Sequence, residues 1–191
     1  MKKTILACGA ALALSGCFGG AKVPDTLMTL NSAQVRTAAT PRTAAEGQAI
    51  TVAVPTVPRE LQTLRVPVHE SELAISYLKD AQWVEMPATL FARVLSETIA
   101  ATTGRVVLDP KQFTFDPGQR LTGTLQRFGY DAASGQAVAV YDAALARQGG
   151  GVTTQRFEAR VPATADAAGV AAALNQATNQ IAAEVGRWVG G

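Results

Sequence analysis

The sequence predicts an α+β fold, with a mainly antiparallel sheet and two amphipathic helices packed on one of its faces. Residues 87–104 and 166–188 carry apolar residues at steps of three or four, which is the spacing of a helix with one buried face. The segments around them alternate apolar and polar residues, as strands do. Because two amphipathic helices cannot bury their stripes alone, both are expected to cover the sheet.

The segments before the first helix are predicted mostly as strands. In chain order they are a short strand at residues 26–30, an irregular connection at 31–48, a strand at 49–54, an ambiguous segment at 61–68 and a strand at 73–78. The pattern is clearest in the 49–54 segment, where Ile50, Val52 and Val54 fall on one side. This alternation is typical of a half-buried strand.

The first helix has clear start and stop signals. Pro87 suits the first helical position, where its missing N–H is not needed, and Gly104 is predicted to end the helix. Its apolar stripe consists of Leu90, Phe91, Val94, Leu95 and Ile99. Residues 105–108 then begin a new run of strands.

Three strands of an antiparallel meander are predicted before the final helix. They occupy residues 120–130, 136–147 and 152–161, with turns at 131–135 and 148–151. The first of them has Leu121 and Leu125 on one side and Phe128 and Tyr130 on the other, which a β-bulge reconciles. The last helix, from about Asp166 to Trp188, has a narrow apolar stripe suited to lying across a sheet.

The beginning of the chain has the features of a bacterial lipoprotein leader. Met1–Lys3 is basic, Thr4–Leu14 is apolar, and Leu14–Cys17 reads Leu-Ser-Gly-Cys, the lipobox. We therefore predict cleavage after Gly16, with Cys17 becoming an S-diacylglycerol and N-acyl cysteine. Several acyl chains hold a protein stably, because each buried CH₂ contributes about 0.8 kcal/mol.

This leader divides the chain into three parts. We predict a signal peptide at residues 1–16, a lipidated N-terminus and linker at 17–25, and one domain at 26–189. Cys8 is the only other cysteine, and cleavage before it would leave too short an apolar core. Without the leader, the 17 basic side chains fall to 15 and balance the 15 acidic ones. Neither this balance nor the scattered basic residues favours nucleic acid as a partner.

The residues before and within the first helix resemble a known family. Residues 73–87 read LAISYLKDAQWVEMP, with Trp83 just before a proline-led helix. With the lipobox and the Ile-x-Val-x-Val strand, this stretch resembles the ABC-type transport auxiliary lipoproteins, the PqiC-like family, over about residues 26–189. The resemblance implies an accessory role beside an MCE-domain substrate-binding protein, a permease and an ATPase that move lipids between envelope membranes. Lipid itself is a further candidate ligand, and no cofactor is expected.

Few residues are candidates for chemistry. His69 is the only histidine, no G-x-S-x-G motif is present, and the one mature cysteine is predicted to be lipidated, so we predict no enzyme activity and no metal site. The chain also lacks the G-x-x-x-x-G-K-[ST] motif of an ATPase. Trp83 has two interpretations, a core residue at the helix start or a contact for a partner protein.

Three functional classes follow from these observations. The first is a lipid-transport accessory lipoprotein. The second is a structural or assembly lipoprotein, such as a pilotin or an activator of a cell-wall synthase, and the third, an envelope hydrolase, is least favoured.

Phe18 follows the cysteine that is predicted to be lipidated, at the position where an aspartate is the familiar inner-membrane retention signal. We therefore predict an outer-membrane location facing the periplasm.

Overall fold

The computed structural model describes residues 24–34, 43–45, 47–110, 118–147 and 149–191. The predicted leader and Cys17 lie outside these residues. The strands are β1 (Ile50–Val52), β2 (Arg65–Ser71), β3 (Ala74–Gln82), β4 (Val107–Leu108), β5 (Gln119–Asp131), β6 (Gln136–Ala146) and β7 (Val152–Pro162). The helices are α1 (Pro87–Thr103) and α2 (Ala167–Gly190), with a short 3-10 helix, η1 (Arg59–Leu61), before β2.

The sheet is built around β5, its longest strand. Along one side β5 pairs with β6, which pairs in turn with β7, and both pairings are antiparallel as predicted. The other side of β5 is shared: β1 pairs with its beginning and β2 with its end, both in parallel. Beyond them, β4 pairs in parallel with β1, and β3 pairs antiparallel with β2. The predicted α+β class is confirmed, and the sheet is mixed.

The close approach of β2 to β5 depends on Gly129. A Cβ atom at this position would lie 2.3 Å from the carbonyl oxygen of Pro67, which is too close for any other residue. The predicted bulge in β5 is also present, as a register shift between Leu125 and Arg127. This shift puts Leu125 and Phe128 into the same core, where both are fully buried.

Both helices begin and end where the sequence signals place them. Pro87 occupies the first turn of α1, and Gly104 ends that helix with a left-handed backbone, φ +70°. At the start of α2, the Asp166 carboxylate accepts a hydrogen bond from the N–H of Gly169 at 2.9 Å.

The helices pack against each other and against one face of the sheet, as predicted. Phe91 of α1 lies 5.2 Å from the ring of Tyr141 on β6 and 6.3 Å from that of Phe128 on β5. On α2, the half-buried Trp188 packs against the core, with its ring 5.7 Å from that of Phe157 on β7. No helix in the described ranges is long and apolar enough to cross a membrane.

Two early strand predictions were wrong in detail. Residues 26–30 do not form a strand but a single bridge between Met28 and Trp83. The predicted strand at 49–54 is shorter, and Thr51 is as buried as its neighbours while Val54 is 42% exposed. An inner strand between two parallel neighbours is covered on both faces, so the alternation of a half-buried strand does not apply to it.

Candidate functional site: the N-terminal clamp and the surroundings of Trp83 and His69

The chain around Trp83 is held from both sides by backbone hydrogen bonds. The N–H of Met28 donates to the carbonyl of Gln82 at 2.8 Å, and the N–H of Val84 donates to the carbonyl of Met28 at 2.9 Å. On the other side, the N–H of Trp83 donates to the carbonyl of Leu64 at 2.8 Å. The first part of the domain therefore joins the sheet at the end of β3.

Two asparagines on α2 hold the residues that follow Met28. The side-chain oxygen of Asn175 accepts from the N–H of Asn31 at 2.8 Å, and that of Asn179 accepts from the N–H of Ala33 at 2.6 Å. The amide nitrogen of Asn179 also donates to the carbonyl of Asn31 at 2.9 Å. Because the two asparagines are four residues apart, they lie on one face of the helix and bind the segment together.

Helix α1 holds the same segment from its own side. Arg93 donates from Nη2 to the carbonyl of Leu30 at 2.7 Å and to the hydroxyl of Thr29 at 3.2 Å. The hydroxyls of Ser32 and Thr98 lie 3.2 Å apart. The backbone of this segment is thus hydrogen-bonded to the side chains of both helices.

We call residues 28–33, together with Arg93, Asn175 and Asn179, the N-terminal clamp. Leu30 is fully buried within it and Met28 nearly so. The polar side chains of the clamp form hydrogen bonds with backbone groups of residues 28–33. These bonds hold that segment against the two helices. The clamp fixes the domain at the point where the predicted linker from Cys17 ends.

Trp83 lies in the core, next to the clamp. The side chain is fully buried, and its ring lies 5.6 Å from that of Phe128. Its indole nitrogen has no hydrogen-bond partner within the described part of the chain. These contacts support the structural interpretation of Trp83. A partner contact through this ring stays a prediction, and it would require the core to open.

His69 lies on the opposite face of the sheet, in a group of charged side chains. Its Nε2 atom is 3.3 Å from Oε1 of Glu60 on η1, without the alignment of a hydrogen bond. Beside it, Arg127 donates from Nη2 to the Asp131 carboxylate at 2.6 Å. The charged groups that face His69 are carboxylates and a guanidinium, and none is a nucleophile that it would activate.

The pKa values of both His69 and Asp131 are lowered by their surroundings. Desolvation lowers the pKa of His69, and the positive charge of Arg127 lowers it further, against the opposing effects of Glu60 and Asp131. The pKa of Asp131 is lowered to about 2, first by the hydrogen bond from the backbone N–H of Ser134. At neutral pH the histidine is therefore neutral and Asp131 is ionised.

Acidification should destabilise the domain through His69. Since folding lowers the pKa of His69, the unfolded chain binds its proton more readily, and stability is lost as the pH falls below about 6.5. Denaturant unfolding between pH 7.5 and pH 5 should show this loss in the wild type. The same titration of His69→Gln should lack that component, while the carboxylates lose their contribution only below about pH 4. Equal pH slopes for the two proteins would contradict the assignment.

Sequence reasoning missed the clamp. The signal available was the pair of asparagines one turn apart in the middle of an alanine-rich helix, where asparagine has a low propensity.

Within the described ranges, no group of three or more His, Cys, Asp and Glu side chains is placed to hold a metal ion.

Solved structures show the same fold at low sequence identity. The chain is similar to an uncharacterised protein at a TM-score of 0.66 and 18% identity, over 76% of this chain and 94% of that one. A protein from Xanthomonas campestris of the DUF330 family has a TM-score of 0.63 and 21% identity, over 87% of this chain and 92% of that one. Among curated proteins, no sequence matches significantly.

The sequence itself matches a family across most of its length. Residues 29–186 match the ABC-type transport auxiliary lipoprotein component. The match begins inside the N-terminal clamp and extends nearly to the end of α2, so it includes the sheet and both helices. The chain belongs to the family of ABC-type transport auxiliary lipoprotein components.

Proposed function

We propose that this protein is an outer-membrane lipoprotein that faces the periplasm and binds the MCE-domain substrate-binding protein of an ABC transporter. With that protein, the permease and the ATPase, it supports the movement of lipids between the envelope membranes. The observation that carries the proposal is the family match over residues 29–186. It covers the domain that the predicted lipid anchor at Cys17 would hold at the membrane.

The clamp supports the anchoring part of this proposal. The first residues of the domain bind to a strand and both helices, so the predicted linker from Cys17 would join the domain at a fixed point. We also propose that the protein acts by binding, without turnover of its own. We infer that the protein acts by bringing its partner to the membrane.

Replacing Cys17 should abolish lipidation. Cys17→Ser should accumulate as uncleaved precursor without labelled palmitate, because the thiol is the predicted acceptor of the first lipid. Cys8→Ser is the matched control and should mature and label normally. Normal palmitate labelling of Cys17→Ser would contradict the predicted anchor, and a sucrose-gradient peak with inner-membrane markers would contradict the outer-membrane location.

The partner is tested by co-purification with the lipidated, full-length protein. The tagged wild type, solubilised from envelopes in mild detergent, should retain an MCE-domain protein together with the permease and ATPase. Recovery of a secretion pore or a cell-wall synthase in their place would favour the alternative, a structural or assembly lipoprotein without a transport role.

A further inference from the structure

The edge strands β7 and β3, on opposite sides of β5, differ in charge, and β4 is the third edge strand in the described part of the sheet. The edge strand β7 carries Arg156, Glu158 and Arg160, all exposed, and Arg156 is paired with Asp142 at 2.6 Å. Charged side chains of this kind protect an edge from pairing with another chain. The opposite edge strand, β3, reads Ala-Ile-Ser-Tyr-Leu from Ala74 to Leu78 and carries no charge over these five residues.

The outward backbone of this part of β3 is unpaired among the described residues. One side of β3 is bonded to β2, and the bridge to Met28 occurs only at its far end, beside Trp83. At Asp80 the backbone is left-handed, φ +53°, and the register against β2 shifts. Residues 74–78 are therefore the stretch of β3 that is open to another strand. We call this stretch the open edge.

Apolar side chains are exposed beside the open edge. Leu73, in the two-residue turn between β2 and β3, is 99% exposed, and Ile75 is 45% exposed. A leucine in such a turn gains nothing from the folded domain, since it contacts no core. The exposed pair and the unpaired backbone offer a partner strand both hydrogen bonds and apolar contacts.

The charges around the turn favour a protein over a lipid surface. Glu72 lies in the turn and Glu70 precedes it in β2, both are exposed, and Glu70 accepts a hydrogen bond from Ser76 at 2.7 Å. An acidic rim repels an anionic membrane surface and attracts lysine or arginine. The matching occupant is an extended segment with alternating apolar residues and a basic residue near the turn.

We propose that the open edge of β3, with Leu73 and Ile75, binds an extended segment of a protein partner by strand addition. The inference rests on the proposed function in one respect, because it takes that partner to be the MCE-domain protein. The partner's backbone would pair with Ala74–Leu78, and its basic residue would lie near Glu70 and Glu72.

The test is site-specific photocrosslinking in intact envelopes, with the full-length lipidated protein. A photoreactive residue at Ile75 should crosslink to the MCE-domain protein, and mass spectrometry should map the crosslink to an extended segment. The matched control is Val152 on β7, which is 64% exposed and should give no such product. Crosslinks from Ile75 only to a second copy of this chain, or only to lipid, would overturn the inference.

Substitutions give an independent measurement. Ile75→Glu should reduce recovery of the MCE-domain protein at least tenfold, and Val152→Glu should leave it unchanged, with the melting temperature of each variant checking its fold. Undiminished recovery with folded Ile75→Glu would overturn this inference alone. If the wild type recovers no MCE-domain protein, the proposed function fails, whereas an Ile75 crosslink mapped to an extended segment of another identified protein would still support the open edge.

Discussion

Trp83→Ala should lower the free energy of unfolding by about 3–5 kcal/mol, the range for removing a fully buried large aromatic side chain. The indole contacts Phe128 and lies where the clamp meets β3, so its loss leaves a cavity at the junction of the sheet with the N-terminal segment. Chemical denaturation at neutral pH measures the difference directly.

Trp83→Phe separates packing from recognition. Because the indole nitrogen has no partner in the described part of the chain, phenylalanine loses volume but no hydrogen bond, and the expected cost is smaller than for alanine. A structural role predicts unchanged partner recovery with Trp83→Phe. If recovery collapses while the stability of Trp83→Phe stays close to that of the wild type, the tryptophan contacts the partner after all.

Leu30→Ala should destabilise the domain by about 2–5 kcal/mol, although the residue precedes every strand and helix of the described ranges. Leu30 is fully buried in the clamp, and its carbonyl accepts a hydrogen bond from Arg93. The side chain belongs to the core even though the segment has no regular structure. The free energy of unfolding of the purified variant is the measurement.

Leu27→Ala is the matched control for this prediction. The two leucines are three residues apart in the same segment, but Leu27 is 45% exposed. Its truncation should change the free energy of unfolding by less than about 1 kcal/mol. Equal effects of the two substitutions would mean that the segment is not packed as described.

The parts of the fold predicted correctly have local signals. The bulge in β5 follows from the switch of apolar residues between Leu125 and Phe128, and α1 follows from Pro87 and Gly104. The turn at 131–135 is equally local, because Asp131 accepts hydrogen bonds from Ser134. Such features depend on residues only a few positions apart, so one sequence is enough to predict them.

The parts that were missed depend on contacts between distant residues. Nothing in the sequence of β1 or β2 indicates that both pair with one side of β5, although Gly118 and Gly129 mark the places where the chain approaches Ala49 and Pro67 closely. The clamp likewise joins residues from opposite ends of the domain. The sequence around an asparagine in the middle of a helix does not indicate which backbone groups its side chain will bind. Among the residues of the candidate site, sequence analysis considered His69 and Trp83 but not Asn175 and Asn179, and a partner contact through Trp83 stays a prediction.

The clamp also has a consequence for the order in which the chain folds. Asn31 and Asn175 are separated by 144 residues, and Asn31 and Asn179 by 148, so these bonds close almost the longest loop the domain can make. If the chain is exported from its predicted leader onwards, these bonds cannot form until α2 has emerged. On this predicted route the N-terminal segment would stay unbound to α2 during translocation, when Cys17 is predicted to be lipidated, and would bind α2 only after export is complete.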